Sequence, residues 1–271
     1  MISEKLQKIL ARAGCGSRRE IERWIREGRI TVNGKIAVIG DRASVEDAIR
    51  VDSKNIYVSG NQRVRVLVYN KPEGEVCTKS DPEKRKTVFD SLPVIKGERW
   101  IAVGRLDINT TGLLLFTNNG DLANKLMHPS SKVDREYLAR VHGAVDEEML
   151  QRLREGILLD DGIAKFSDIV IGERIGTNGW YTVALTEGRN REVRRLWESQ
   201  GLQVNRLKRV RFGPIFLPSY LRKGQWIELD ETPLNDLLAM ARMFISKKNK
   251  SMSLEDKKKR ERQIKRLRSG G

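Results

Sequence analysis

Apolar positions along the first sixty residues switch between two periods. Leu6, Ile9, Leu10 and Ala13 recur at helical spacing, and Gly14 and Gly16 end that stretch. Ser17 then predicts a helix N-cap, with Glu20 three residues on as its capping-box partner. Ile21, Trp24 and Ile25 form the stripe of this second helix, and Gly28 stops it. Ile30–Val32 and the Asn33-Gly34 pair that follows predict a strand and a tight hairpin turn. Val45, Ile49, Val51, Ile56 and Val58 supply further short strands.

Ser59–Gln62 is polar and contains glycine, which predicts a linker. Beyond it, Val64, Val66 and Val68 alternate as in a strand. Pro72–Gly74 marks a turn leading into a hairpin partner at Glu75–Thr78. Trp100–Val103 and Leu113–Phe116 read as two strands around a polar connection. Glu192–Gln200 reads as a helix with Val193, Leu196 and Trp197 inward, and Arg206–Arg211 as a strand. Strands and helices alternate irregularly to about residue 245, a pattern that predicts an α+β fold with a mixed, mostly antiparallel sheet. The divisions are a small helical and β module over 1–60, a larger domain over 61–245, and a basic flexible tail over 246–271.

Composition narrows the chemistry. With 39% hydrophobic residues in 271, the chain can build a core, and no apolar run reaches the ~20 residues that span a bilayer. The opening stretch has no apolar leader, so a cytoplasmic protein is expected. Two cysteines (Cys15, Cys77) and two histidines (His128, His142) are too few for a disulfide framework or a structural zinc site. Nucleotide-binding glycine motifs are missing, so no cofactor and no metal are expected. Acidic runs such as Asp146–Glu148 and Asp160-Asp161 read as turn and helix-start acids, against a metal-dependent nuclease.

The net charge of +16 points to a polyanion, most simply nucleic acid. It is unevenly spread: residues 246–271 hold 11 basic residues against three acidic ones. Lys5, Lys8, Arg12, Arg18, Arg19, Arg23, Arg26 and Arg29 crowd the N-terminal helix pair. Arg189, Arg191, Arg194, Arg195, Arg206, Lys208, Arg209 and Arg211 form the concentrated basic stretch of the central domain. Solvated helix faces would explain any one of these; phosphate contacts explain the clustering.

Two resemblances sharpen this. Leu10–Gly14, Ser17-Arg18-Arg19-Glu20, Gly28-Arg29-Ile30 and Val32-Asn33-Gly34 resemble the S4 RNA-binding domain. That resemblance implies binding of structured RNA through the helix pair, with Lys5, Lys8, Arg12, Ser17, Arg18, Arg19, Arg29 and Asn33 as contacts. Gly104-Arg105-Leu106-Asp107, Thr110 and Gly112–Leu115 resemble the signature of RNA pseudouridine synthases. Val68–Gly74 and Leu185–Arg195 are similar to the RsuA branch of that family. Together the resemblances cover roughly residues 3–230.

By residue type alone, Asp107 is either a turn former or a positioned charge. The resemblance implies that it is the catalytic nucleophile on a flipped-out uridine, without cofactor. It implies that Tyr137 lies beside the base, that Arg194 pairs with the aspartate (Arg191 and Arg195 being alternatives), and that Arg105 helps displace the base. Lys71, Arg189, Arg191, Arg195, Arg206 and Arg209 are then expected RNA contacts, and 23S ribosomal RNA the expected partner of a monomer. The competing readings are 16S rRNA or tRNA as substrate, and an S4-type ribosome-assembly protein that binds without catalysis.

Overall fold

The computed structural model describes residues 3–58 and 63–243. The expected linker Ser59–Gln62 and the tail 246–271 lie outside the described residues. Among those described, no helix is long and apolar enough to cross a membrane.

The N-terminal module runs β1 (Glu4–Lys5), α1 (Leu6–Arg12), α2 (Arg18–Arg26), β2 (Ile30–Val32), β3 (Lys35–Ile36), β4 (Arg42–Ala43), β5 (Ile49–Val51) and β6 (Lys54–Ile56). Its helix stripes, with Leu6, Ile9, Leu10, Ile21 and Ile25, pack on Ile30 and Ile49 of the sheet β3-β2-β5-β6. The capping box forms: Ser17 Oγ accepts from Glu20 N, and Glu20 accepts from Ser17 N. The β2–β3 hairpin turns at Asn33 and Gly34, both at positive φ.

The larger part contains β7 (Val66–Lys71), β8 (Ile101–Val103), β9 (Thr111–Thr117), α3 (Gly120–Met127), β10 (Arg135–His142), α4 (Glu147–Glu155), β11 (Ile157–Leu159), β12 (Gly162–Ala164), β13 (Asp168–Ile175), β14 (Asn178–Leu185), α5 (Glu192–Glu198), β15 (Gln203–Phe212), β16 (Ile215–Phe216), β17 (Trp226–Glu228) and α6 (Glu231–Met240). The main path of its sheet is β13-β14-β10-β15-β9-β7-β17, with β8 beside β9 and β16 beside β15. Pairing is antiparallel except between β15 and β9. Both faces of the central strands are covered. Leu67, Tyr69, Leu114 and Phe116 join one apolar cluster, while Val66, Val68, Leu113 and Leu115 join the other.

This double coverage corrects one expectation. No strand forms at Glu75–Thr78; Val76 makes only an isolated bridge to Thr87. Both edges of β7 are already occupied, by β9 and β17, so the chain after Pro72 has no edge to pair with. It turns instead toward the β8–β9 connection, where Gly74 N donates to Ile108 O at 2.9 Å.

The β9–β15 junction depends on Gly112. Its φ is +100°, and a Cβ there would lie 2.2 Å from the carbonyl oxygen of Arg209. Gly112→Ala is expected to cost about 3 kcal/mol or more of stability, because it strains the backbone and forces apart the pair beneath the candidate site. An unchanged melting temperature would refute that role.

Candidate active site

One edge of β9 is shared: β15 pairs with Thr111 and Gly112, β8 with Leu115–Thr117. The loop 104–110 leaves the sheet on the β8 side of this junction. It forms one wall of a cavity of about 710 Å³. Asp107 and Arg105 come from the loop, Tyr137 from β10, Leu207 and Arg209 from β15, and Gly188–Val193 from the segment leading into α5.

Asp107 is half-buried, and its backbone carbonyl closes a turn by accepting from Thr110 N at 3.0 Å. The succeeding carbonyls are held by buried cations. Lys71, with no solvent exposure, donates from Nζ to Ile108 O (3.3 Å), Thr110 O (3.0 Å) and Pro72 O (2.9 Å). Arg194 donates from Nη2 to Asn109 O (3.2 Å) and from Nη1 to Val204 O (2.6 Å). Arg209 Nε donates to Leu113 O at 2.7 Å. Four carbonyls of the segment that carries Asp107 are thus fixed from β7, α5 and β15. Among the described residues no ion pair within 4.0 Å joins Arg194 to Asp107; the arginine reaches the turn through the Asn109 carbonyl. Burial pushes the Lys71 ammonium below its ordinary value, opposed by Cys77, Glu75, Asp107 and Glu73. Burial likewise lowers Arg194, Arg191 adds to this, and Asp107 opposes it. The carboxylate therefore supports the charge of its clamp without an ion pair to Arg194.

Arg105 is exposed at the cavity, and Tyr137 is 8% exposed in it. Cys77 Sγ accepts from Leu106 N at 3.4 Å and lines the same wall.

The expected RNA contacts divide. Lys5, Ser17, Arg18, Arg19 and Arg206 are exposed. Lys71 and Arg209 are internal, not on an exposed phosphate-facing surface: Lys71 Nζ donates to protein carbonyls, and Arg209 commits its Nε to Leu113 O. Lys8 pairs with Glu4 and with Asp121 of α3, and Arg12 with Glu4. Arg29 forms a two-point pair with Asp52, and Asn33 bonds Asp47 and Ala48 N. Arg189 donates to Asp161, Gly162, Ile163 and Glu187, and Arg195 pairs with both oxygens of Asp161. These two arginines staple the cavity wall to the β11–β12 hairpin. Arg191 pairs with Glu198 but stays exposed. Asp146 caps α4 through Met149 N.

Sequence reasoning missed Glu192. It is 3% exposed, accepts from Arg189 N at 2.9 Å through Oε2, and leaves Oε1 buried without a partner. Burial pushes its carboxyl up to about 7; the Arg189 bond opposes this and Glu187 adds to it. The unfolded chain releases this proton near the ordinary 4.5, the folded chain near 7. Stability therefore falls as pH rises between those values and is level above them. Glu192→Gln is expected to flatten that part of a melting-temperature profile. A variant profile matching wild type would rule the group out.

Known proteins can now be set beside this geometry. Residues 4–49 match the S4 domain, and 65–199 match RNA pseudouridylate synthase. A protein of Haemophilus influenzae, ribosomal large subunit pseudouridine synthase B, is 60% identical over 238 residues, covering 86% of this chain and 67% of the relative. Its namesake in Salmonella typhi is 58% identical over 246 residues, covering 89% of this chain and 84% of that one.

This chain belongs to the RNA pseudouridine synthase family.

A further family member, the Pseudomonas aeruginosa synthase B, is 59% identical over 241 residues; the match covers 87% of this chain but spans only 62% of that longer protein. A solved pseudouridylate synthase superposes with a TM-score of 0.60 at 25% identity, over 86% of this chain and 99% of its own. The expectation of an α+β chain with an S4 domain ahead of a pseudouridine synthase domain holds.

Proposed function

We propose that this synthase isomerises a uridine of large-subunit (23S) ribosomal RNA to pseudouridine, with Asp107 as the nucleophilic carboxylate. The observation that carries the reading is the clamp: buried cations from two elements, Lys71 of β7 and Arg194 of α5, fix the turn of Asp107, while its carboxylate, bonded to nothing among the described residues, lines the cavity. The large-subunit relatives at 58–60% identity supply the substrate class.

The chemistry breaks the bond between N1 and C1′ and rejoins the base through C5. An aspartate is ionised at neutral pH and needs no base to activate it. It needs a fixed position against C1′, whether it attacks the sugar, attacks the base or promotes elimination. Reaching C1′ inside folded RNA requires flipping the nucleotide, at a few kcal/mol. Phosphate contacts from Lys5, Arg18, Arg19 and Arg206 offset that cost, and exposed Arg105 fills the place the base leaves. Tyr137 lies beside the flipped base, and Arg194 acts on Asp107 through the turn. In this reading 1–60 is the RNA-binding module, 61–245 the catalytic domain and 246–271 a further RNA attachment, and the protein works as a cytoplasmic monomer.

The test is incubation with protein-free 23S rRNA, followed by carbodiimide mapping and primer extension. A new stop at one position is expected. A stop only in 16S rRNA or tRNA would move the substrate; RNA binding with no stop anywhere would favour a non-catalytic assembly role.

A further inference from the structure

The floor of the cavity holds two arginines that the chemistry so far does not use. Arg135 of β10 and Arg209 of β15 both lie over the ring of Phe212, at 5.1 and 5.3 Å from its centroid. A register shift brings them together. Glu136 opposes Arg211 while Tyr137 opposes Arg209, so Val210 is the extra residue of a bulge. The bulge returns Phe212 to the face that carries Arg209 and Leu207, beside Arg135 and Tyr137.

These two charges are unusually bare. Arg209 is 2% exposed and lines the cavity; its Nε is committed to Leu113 O, its Nη2 is buried without a partner, and among the described residues its Nη1 donates to no protein atom. Arg135 commits Nη1 to the carbonyls of Val133 and Thr186, and among the described residues its Nε and Nη2 donate to no protein atom. Neither guanidinium has a carboxylate within 4.0 Å among the described residues. Burial lowers the Arg135 guanidinium and Arg209 adds to this, while Tyr137, Glu192 and Asp134 oppose it. Two buried cations over one ring, with no carboxylate in contact among the described residues, are costly, and the ring offsets only part of this. The arrangement suits a site that receives negative charge during its work.

The reaction generates such a charge. When the C1′–N1 bond breaks, its electron pair leaves with the base, giving a uracil monoanion spread over N1, O2 and O4. C1′ gains a bond to the Asp107 carboxylate, or C2′ loses its proton and the C1′–C2′ double bond of a glycal forms. The base then bonds to C1′ through C5 as the bond to Asp107 breaks, or as C2′ of the glycal takes its proton back; the C5 proton departs and N1 takes up a proton, so nothing is consumed. A backbone phosphate is the rival occupant. The lining of Phe212, Leu207, Val193, Leu185 and Tyr137 fits a flat base better than a hydrated phosphate.

We propose that Arg209, with Arg135 beside it, is a catalytic residue that donates to a carbonyl oxygen of the flipped uracil and stabilises the anion formed as the base departs. This rests on the pseudouridine synthase reading. The test uses the full chain and rRNA fragments carrying uridine or 5-fluorouridine at the target. Fluorine withdraws electron density and makes the base a better leaving group. Single-turnover disappearance of the target nucleoside does not require loss of the C5 substituent. Arg209→Met is expected to slow uridine turnover about 100-fold with RNA affinity within about twofold, and the loss should shrink about tenfold on 5-fluorouridine. Arg209→Lys, which keeps the charge and can still reach the Leu113 carbonyl, should show a smaller loss with the same dependence on fluorine. Equal losses on both substrates, or weakened affinity at unchanged rate, would overturn the assignment. Wild-type protein inert on every rRNA would overturn the function and this assignment with it.

Discussion

Asp107→Asn is expected to abolish pseudouridine formation, by at least about 10⁴-fold, while RNA affinity stays close to wild type. Asparagine matches aspartate in shape but carries no negative charge and is a far weaker nucleophile. The fold around it should survive, because among the described residues no bond that shapes the turn involves the carboxylate. Thr110 N bonds the backbone carbonyl of residue 107, and Lys71 and Arg194 hold the carbonyls of 108, 109 and 110. One side effect has a definite sign. Asp107 partly opposes the effect of burial on Lys71 and Arg194, so removing its charge makes both cations harder to keep charged. The variant should therefore melt slightly lower than wild type, not higher. Primer-extension mapping of pseudouridine, filter binding and a melting curve on the same preparation check all three statements. Full activity in the variant would remove Asp107 from the chemistry.

Local structure was legible wherever its determinants are neighbours in the chain. The Ser17–Glu20 capping box, the stripes of the first two helices and the Asn33-Gly34 turn each need only a few consecutive residues. The inward face of α5 was readable for the same reason, and so was the strand through Arg206–Arg211. The expected hairpin at Glu75–Thr78 failed because the occupants of both β7 edges lie far away in sequence. The setting of each charge was not legible. Lys71 and Arg209 look like any other cations of a basic chain, since a positive residue carries no mark of its own burial. The run Val66–Lys71 held the hint, because five apolar or amide residues lead into the lysine and all six are buried. Asp107 stood out only by resemblance. The partners that distinguish its turn from an ordinary one sit on β7 and α5, and only the assembled sheet brings them together.

Lys71→Met is expected to lower both stability and turnover while leaving RNA affinity unchanged. Methionine has nearly the length of the lysine stem and fits the same apolar path. It removes the donor shared by Pro72, Ile108 and Thr110, leaving buried carbonyls short of a partner at about 1–3 kcal/mol each. Relief from keeping an ammonium out of water offsets part of that, so the net loss should be about 3 kcal/mol. For a domain of this size that is a fall in Tm of about 6–12 °C. The kinetic effect follows from geometry: a turn no longer pinned at two carbonyls lets Asp107 wander by a fraction of an ångström or more. A misplacement of that order costs up to about 100-fold in kcat. Lys71→Arg should not rescue, because a planar guanidinium is too large for a fully buried ammonium site and aims its donors differently. The affinity measurement separates this role from the surface contact first expected of the residue. A variant that binds RNA more weakly but turns over bound substrate at the wild-type rate would show that Lys71 meets the nucleic acid, not the turn of Asp107.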